Sequence, residues 1–260
     1  MFRLQCFGYP RIEAADGASL DAIQGHPKRF AVLIYLACHD DRPVRRDSLI
    51  PLFWPEVDEW GARRSLRLTL DVLRRLVGDD TLTALEGGNL IVDPHRLGTD
   101  VRAFQLARSE ERLGDALAIH HGPFLAGFSL PDSPEFSAWV ERTRRALKDE
   151  TLDVALRLAQ RADANGDTYQ AIGWWYRALE LSPYDEYVLT SLVWALTRSG
   201  DRVGAHDAYL SFQRQLMGDL ALEPSLTTRM AVGRALRVPG SAWAPLPPAQ
   251  PRPRRVSQAH

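Results

Sequence analysis

The residues best able to do chemistry in this sequence are five arginines crowded into one stretch: Arg63, Arg64, Arg67, Arg74 and Arg75. A guanidinium stays charged at any physiological pH and offers a planar fork of donors. Its chemistry is therefore binding, to phosphate oxygens or to the acceptor edge of a guanine, rather than catalysis. On a helix turning roughly 100° per residue, the five arginines and Asp71 fall in one arc of about 120°. Ala62, Leu66, Thr69, Leu70, Leu73, Leu76 and Val77 fall in a separate arc of similar width. Burial accounts for the apolar arc and leaves the cationic one unexplained. A solvated helix face has the same pattern in isolation, with Asp71 as an i,i+4 ion-pair partner of Arg67 or Arg75. In a helix lying in a DNA groove, the N-terminal half meets the bases. Arg63, Arg64 and Arg67 would then stand closest to base edges, and Arg74 on phosphate.

Other groups are less promising. His120-His121 has no Cys, Glu or His at zinc spacing nearby, and no HExxH occurs. Neither a GxSxG nucleophile elbow nor a GxGxxG loop is present. Catalytic residues, a metal site and a cofactor are not expected, and the chain does not read as an enzyme. Trp174, Trp175, Tyr176, Tyr184, Tyr187 and Trp194 would line a groove or, as aromatics at helical spacing more often do, fill a core.

The arginines need an element to hold them, and helical periodicity supplies one from Ala62 to Val77. Before it, Phe2, Leu4 and Cys6 alternate with polar residues as in a half-buried strand, and Arg11-Ile12-Glu13 reads as a second one. Pro27 opens a largely apolar helix through Ala37. Arg46 to Phe53 forms another, shortened or kinked by Pro51. Trp54 to Trp60, acidic at Glu56, Asp58 and Glu59, joins it to the basic helix. Beyond Gly78, two short apolar runs around Gly87-Gly88 read as a β-hairpin. Strands, helix, helix, basic helix and hairpin is the order of a winged helix-turn-helix, with the basic helix in the major groove and the hairpin as wing.

The rest of the chain is helical and repeats. Gly166-Asp167 and Gly200-Asp201 lie 34 residues apart, the tetratricopeptide (TPR) period, each between amphipathic helices. Gly supplies a left-handed helix stop and Asp starts the next helix. An irregular third unit is expected between Val101 and His121, where Gly114-Asp115 recurs out of period. From Pro239 the chain is rich in Pro and Arg and reads as a disordered tail. The fold class is thus mainly α: a winged helix-turn-helix with a small β-sheet, three helices and a wing hairpin over 1–97, an all-α TPR-like domain over 98–238, and the tail over 239–260. The first two are expected to fold separately.

Composition agrees with a soluble globular protein, at 45% hydrophobic and 25% charged. The net charge of -1 conceals ten Lys and Arg against seven Asp and Glu between His26 and Gly78. Arg far outnumbers Lys, which a GC-rich genome would also produce. No apolar run approaches the ~20 residues of a membrane span. The two cysteines, Cys6 and Cys38, form no framework, so a cytoplasmic location is expected.

Several segments together resemble bacterial antibiotic-regulatory proteins of the SARP type. They are Ala31-Val32-Leu33-Ile34-Tyr35-Leu36-Ala37, Leu52-Phe53-Trp54-Pro55, Ala62-Arg63-Arg64-Ser65-Leu66-Arg67, Leu73-Arg74-Arg75-Leu76 and Asp100-Val101-Arg102-Ala103-Phe104. Gly122 through Trp139, and Leu220-Ala221-Leu222-Glu223-Pro224-Ser225, resemble the bacterial transcriptional activator domain (BTAD) of that family, with Ala221 where relatives usually have Gly. The resemblance implies a transcriptional activator that binds double-stranded promoter repeats, self-associates on repeated sites and recruits RNA polymerase. It implies that the segment with Glu56, Asp58, Glu59 and Trp60 is the polymerase-contact loop. The competing reading is a TPR-type interaction adaptor whose winged helix does not read DNA, and the arginine stripe argues against it because an adaptor needs no cationic face.

Overall fold

A computed structural model describes residues 1–17, 20–39 and 42–237; the tail expected over 239–260 lies outside the described residues. The chain divides into two compact units, residues 1–151 and the part beginning at Leu152.

In the first unit, β1 (Phe2–Gln5) is the central strand of a small sheet. It pairs antiparallel with β2 (Arg11–Ala14) and parallel with β6 (Leu97–Thr99). Leu4, Cys6 and Ile12 are fully buried, as the alternation required. A short helix α1 (Asp21–Gln24) precedes α2 (Pro27–Ala37), whose Pro27 sits in the first turn. Phe30 to Ile34 along α2 are all buried, so this helix is the spine of the core. The strand β3 (Val44–Arg45) leads into α3 (Arg46–Phe53), short and with Pro51 inside it. The long basic helix α4 (Glu59–Val77) follows, then β4 (Leu82–Ala84) and β5 (Asn89–Val92). These last two form the expected hairpin, with Leu82 opposite Val92 and Ala84 opposite Leu90. Gly87 and Gly88 turn its tip at φ 73° and 78°, a conformation open to glycine without a Cβ clash. The other edge of β5 pairs with β3, completing a three-stranded sheet in the order β3-β5-β4.

The expected boundary at 97/98 falls inside this unit. Helices α5 (Asp100–Ser109) and α6 (Leu113–Ile119) and the start of α7 (Pro134–Ala164) belong to it. Three kinds of contact tie them to the N-terminal segment. The Asp100 carboxylate accepts the backbone N–H groups of Cys6 and Phe7 at 2.8–2.9 Å. Burial pushes that carboxyl above its ordinary value, although the bonds from Phe7 and Cys6 pull the other way. Backbone bonds run from Leu125 to Cys6 and from Ala126 to Gly8, each 2.8 Å. Aromatic rings then interleave: Phe7 against Phe104, Phe30 against Phe128, Phe53 against Phe136, and Tyr35 against Trp139. Periodicity could not reveal this, because Phe124 and Phe128 sit in irregular chain and pair with residues about a hundred positions earlier. The turn between α5 and α6 is at Glu111, which has φ 60°, and Gly114 lies within α6 rather than at the turn.

The second unit is helical throughout its described residues. After the end of α7 come α8 (Thr168–Leu181), α9 (Glu186–Arg198), α10 (Arg202–Leu220) and α11 (Leu226–Arg237). Both repeated turns are built as their sequence requires. Gly166 and Gly200 have φ 77° and 90°. Asp167 and Asp201 each cap the helix that follows, accepting from the N–H of Gln170 and Gly204. Of the six aromatics noted above only Trp175 is buried; Trp174, Tyr187 and Trp194 are half-buried, and Tyr176 and Tyr184 are exposed. Trp175 is buried and donates to Asp163 at 2.8 Å, and Trp194 lies under the Arg198 guanidinium at 4.1 Å. Glu186 fastens α11 to the start of α9, accepting from the Ser225 N–H at 2.7 Å, the Thr228 hydroxyl at 2.6 Å and the Ser225 hydroxyl. Burial works to raise this carboxyl, and the bonds from Ser225 and Thr228 outweigh it, holding it below its ordinary value.

Ala221 closes α10 in the left-handed region at φ 54°, ψ 35°. A Cβ is strained there, whereas glycine is not. Ala221→Gly is therefore expected to raise stability by about 0.5–1 kcal/mol, strain relief exceeding the extra chain entropy of the unfolded state. Chemical denaturation followed by circular dichroism checks it, and a lower midpoint would contradict the assignment of strain.

Candidate nucleic-acid interface

The arginine stripe is held by α4, and α4 is fixed on its other side. Ala62, Leu66, Leu70, Leu73 and Val77 are buried, with Thr69 and Leu76 half-buried at the margins. The hairpin lies immediately after the helix, and Thr81 anchors the junction by donating to the Val77 carbonyl at 2.6 Å.

The helix begins three residues earlier than periodicity suggested. Asp58 is its N-cap, accepting from the Gly61 N–H at 2.7 Å. Glu59 and Trp60 are consequently first-turn residues of α4, while Glu56 lies in the connection from α3 and Asp58 ends that connection as the cap. The readable signal was Asp58 itself, a strong capping residue ahead of the basic run. Negative charge at Asp58 and Glu59 also suits the positive end of the helix dipole. Trp60 is 72% exposed, and the Arg64 guanidinium lies over its ring at 5.7 Å. That contact limits the swing of Arg64 and gives Trp60 a role that burial does not.

The five arginines are not equivalent. Arg63, Arg64, Arg67 and Arg75 are exposed, whereas Arg74 is half-buried. Arg63 donates to Glu59 at 2.8 Å and stands 3.6 Å from Asp47 on α3, bridging the two helices. Arg67 is 3.8 Å from Asp71, the i,i+4 pair its spacing allowed. Arg75 donates to the Asp71 backbone carbonyl at 3.3 Å. Arg74 donates through Nε to the Leu82 carbonyl at 3.0 Å, so it fastens α4 to the hairpin instead of reaching outward. Helical arithmetic placed Arg74 in the cationic arc, but a strand carbonyl arriving from eight residues on draws it aside.

Arg64 and Arg67 are thus the side chains of the N-terminal half best placed to reach a ligand, with Arg63 and Arg75 flanking them. Leu68, 56% exposed, adds an apolar contact on the same side of the helix as Arg64, one turn on. The arrangement suits binding a polyanion whose surface also carries apolar and acceptor groups. Among the described residues no group of three metal-ligating side chains comes together, and no helix is long and apolar enough to cross a membrane.

Comparison with known proteins agrees with this architecture. The family described as bacterial transcriptional activator domain matches residues 95–237. The transcriptional regulatory protein EmbR of Mycobacterium tuberculosis is 29% identical over 232 residues, covering 82% of this chain and 58% of EmbR. The regulatory protein AfsR of Streptomyces griseus is 27% identical over 215 residues, covering 77% of this chain and 21% of AfsR. The solved structure of M. tuberculosis EmbR in complex with a low affinity phosphopeptide is similar at a TM-score of 0.64 and 27% identity. It covers 91% of this chain and 65% of that one. The chain therefore spans only part of the length of each relative.

Proposed function

The chain belongs to the bacterial transcriptional activator domain family, and from that premise we propose that it is a sequence-specific DNA-binding transcriptional regulator of the SARP type. Its role is binding, and no reaction is assigned to it. The observation that carries the reading is the exposed face of α4: Arg63, Arg64, Arg67 and Arg75 stand opposite a face packed through Ala62, Leu66, Leu70, Leu73 and Val77, beside a hairpin in the position of a wing. Phosphate contacts from such a face supply affinity and register, and one or two forked arginines supply base preference. Within this proposal residues 1–97 carry the DNA-reading elements and 98–238 the activator domain. Both relatives' names, as regulatory proteins, support a regulatory role. The test is selection of binding sites from random duplexes by the full chain, followed by gel-shift titration. Recovery of a repeated motif bound more tightly than bulk DNA is expected, and uniform weak binding would favour the adaptor reading.

The finer part of the proposal is activation: binding at promoter repeats, self-association there, and contact with RNA polymerase through the acidic segment. Glu56 is exposed and outside the helix, which suits such a contact. Because Asp58 caps α4, its replacement must keep a capping oxygen. The double variant Glu56→Ala with Asp58→Ser is expected to lower transcription in a reconstituted assay several-fold while DNA affinity stays unchanged. An equal fall in both would make the segment structural.

A further inference from the structure

The sulfur atoms of Cys6 and Cys38 lie 3.9 Å apart although 32 positions separate them in the chain. Both are free thiols, Cys6 buried and Cys38 half-buried. We propose that they are an oxidation site: a peroxide converts the pair to an intramolecular disulfide.

The geometry favours this outcome over random oxidation. A disulfide places its sulfurs about 2.05 Å apart, so the pair needs to close by roughly 2 Å, within the reach of side-chain rotation. Each backbone is already held. The Cys6 N–H is bound by the Asp100 carboxylate, and its carbonyl accepts from the Leu125 N–H at 2.8 Å. Cys38 is the C-cap of α2, with its N–H on the Ile34 carbonyl at 2.9 Å. These bonds fix both backbones, so the distance between the sulfurs changes by side-chain rotation alone.

The two thiols also differ in the way an ordered reaction requires. The hydrogen bond to Cys38, burial and the nearby Asp100 carboxylate all push the Cys6 thiol above its ordinary value, so Cys6 keeps its proton. Cys38, half-buried where Cys6 is fully buried, is the sulfur that a peroxide from solvent meets first. Its sulfur attacks hydrogen peroxide, the O–O bond breaks, and Cys38 becomes a sulfenic acid as the departing hydroxide takes the proton the Cys38 thiol gives up and leaves as water. The Cys6 sulfur then attacks the Cys38 sulfur. The S–O bond breaks, the departing hydroxide takes the Cys6 proton, and water is released. Two thiols are oxidised by two electrons and one peroxide is reduced to two waters. A thiol reductant reverses the bond.

The test uses the full chain, reduced, freed of reductant and treated with hydrogen peroxide. Remaining thiols are alkylated after denaturation and the intact mass is read. The expected product is a monomer lacking both alkylations and about 2 Da lighter than the reduced chain, with a dithiothreitol-sensitive peptide joining Cys6 to Cys38. Cys6→Ser should halt at a Cys38 sulfenic acid that dimedone traps. Cys38→Ser should leave Cys6 alkylatable after denaturation, because peroxide does not reach it. Survival of both thiols in the parent, a disulfide only between chains, or Cys38 over-oxidised equally in the parent and in Cys6→Ser would each overturn the proposal.

Discussion

Replacing Arg63, Arg64 and Arg67 together with alanine is expected to leave the protein folded and to lower its affinity for a specific duplex by at least about 100-fold. The fold should survive because all three side chains are exposed and the ion pairs they lose, with Glu59, Asp47 and Asp71, are surface pairs worth little. Binding should fall because each arginine on a base edge contributes about 1–3 kcal/mol and each on phosphate contributes about one unit of salt slope. Single variants separate these roles. Arg64→Ala, which removes the guanidinium held over Trp60, should relax preference at one base pair if that fork reads a guanine. If Arg64 touches only phosphate, affinity should drop evenly across sequences. Gel-shift titration at two salt concentrations, with circular dichroism as the folding control, decides between them. A folded triple variant that binds as tightly as the parent would remove α4 from the interface.

The second large effect concerns where the chain can be cut. A fragment ending at Leu97 should show no cooperative melt, whereas residues 1–151 should melt in one transition. Without the residues beyond 97, Phe7, Phe30 and Phe53 lose Phe104, Phe128 and Phe136 as packing partners. Each large side chain returned to water weakens the fold by about 1.5–3 kcal/mol. The Cys6 and Phe7 N–H groups also lose the Asp100 carboxylate, about 1–3 kcal/mol for each donor left buried and unpaired. The sum reaches the whole stability of a small domain, roughly 5–15 kcal/mol. Differential scanning calorimetry of the two fragments checks this, and a cooperative transition in residues 1–97 alone would restore the boundary that periodicity suggested.

Local pattern and long-range pairing explain what the sequence disclosed and what it withheld. The packed and cationic faces of α4, the β4–β5 hairpin and the paired Gly-Asp turns were legible, because each is encoded within one helical turn or across a few residues. The strand β6 and the aromatic seam of Phe124, Phe128 and Phe136 were not. Three residues of strand carry no period, and the seam exists only once the first and second hundred residues meet. The site was half legible in the same sense. Helical spacing grouped the five arginines on one arc, but which acid or carbonyl each one meets depends on α3 and the hairpin. Arg74 is the clear instance, its sequence position indistinguishable from that of Arg75 and its surroundings different.

The acids interleaved with the arginines bear on selectivity rather than strength. Glu59 and Asp71 accompany four outward guanidiniums, so a distant polyanion meets a face carrying far less charge than its arginine content suggests. Long-range attraction is correspondingly modest, and random duplex gains little by settling there. If α4 reads DNA as proposed, the acids thus act on the encounter rather than on the bound state, trimming the attraction that gathers random duplex at the helix.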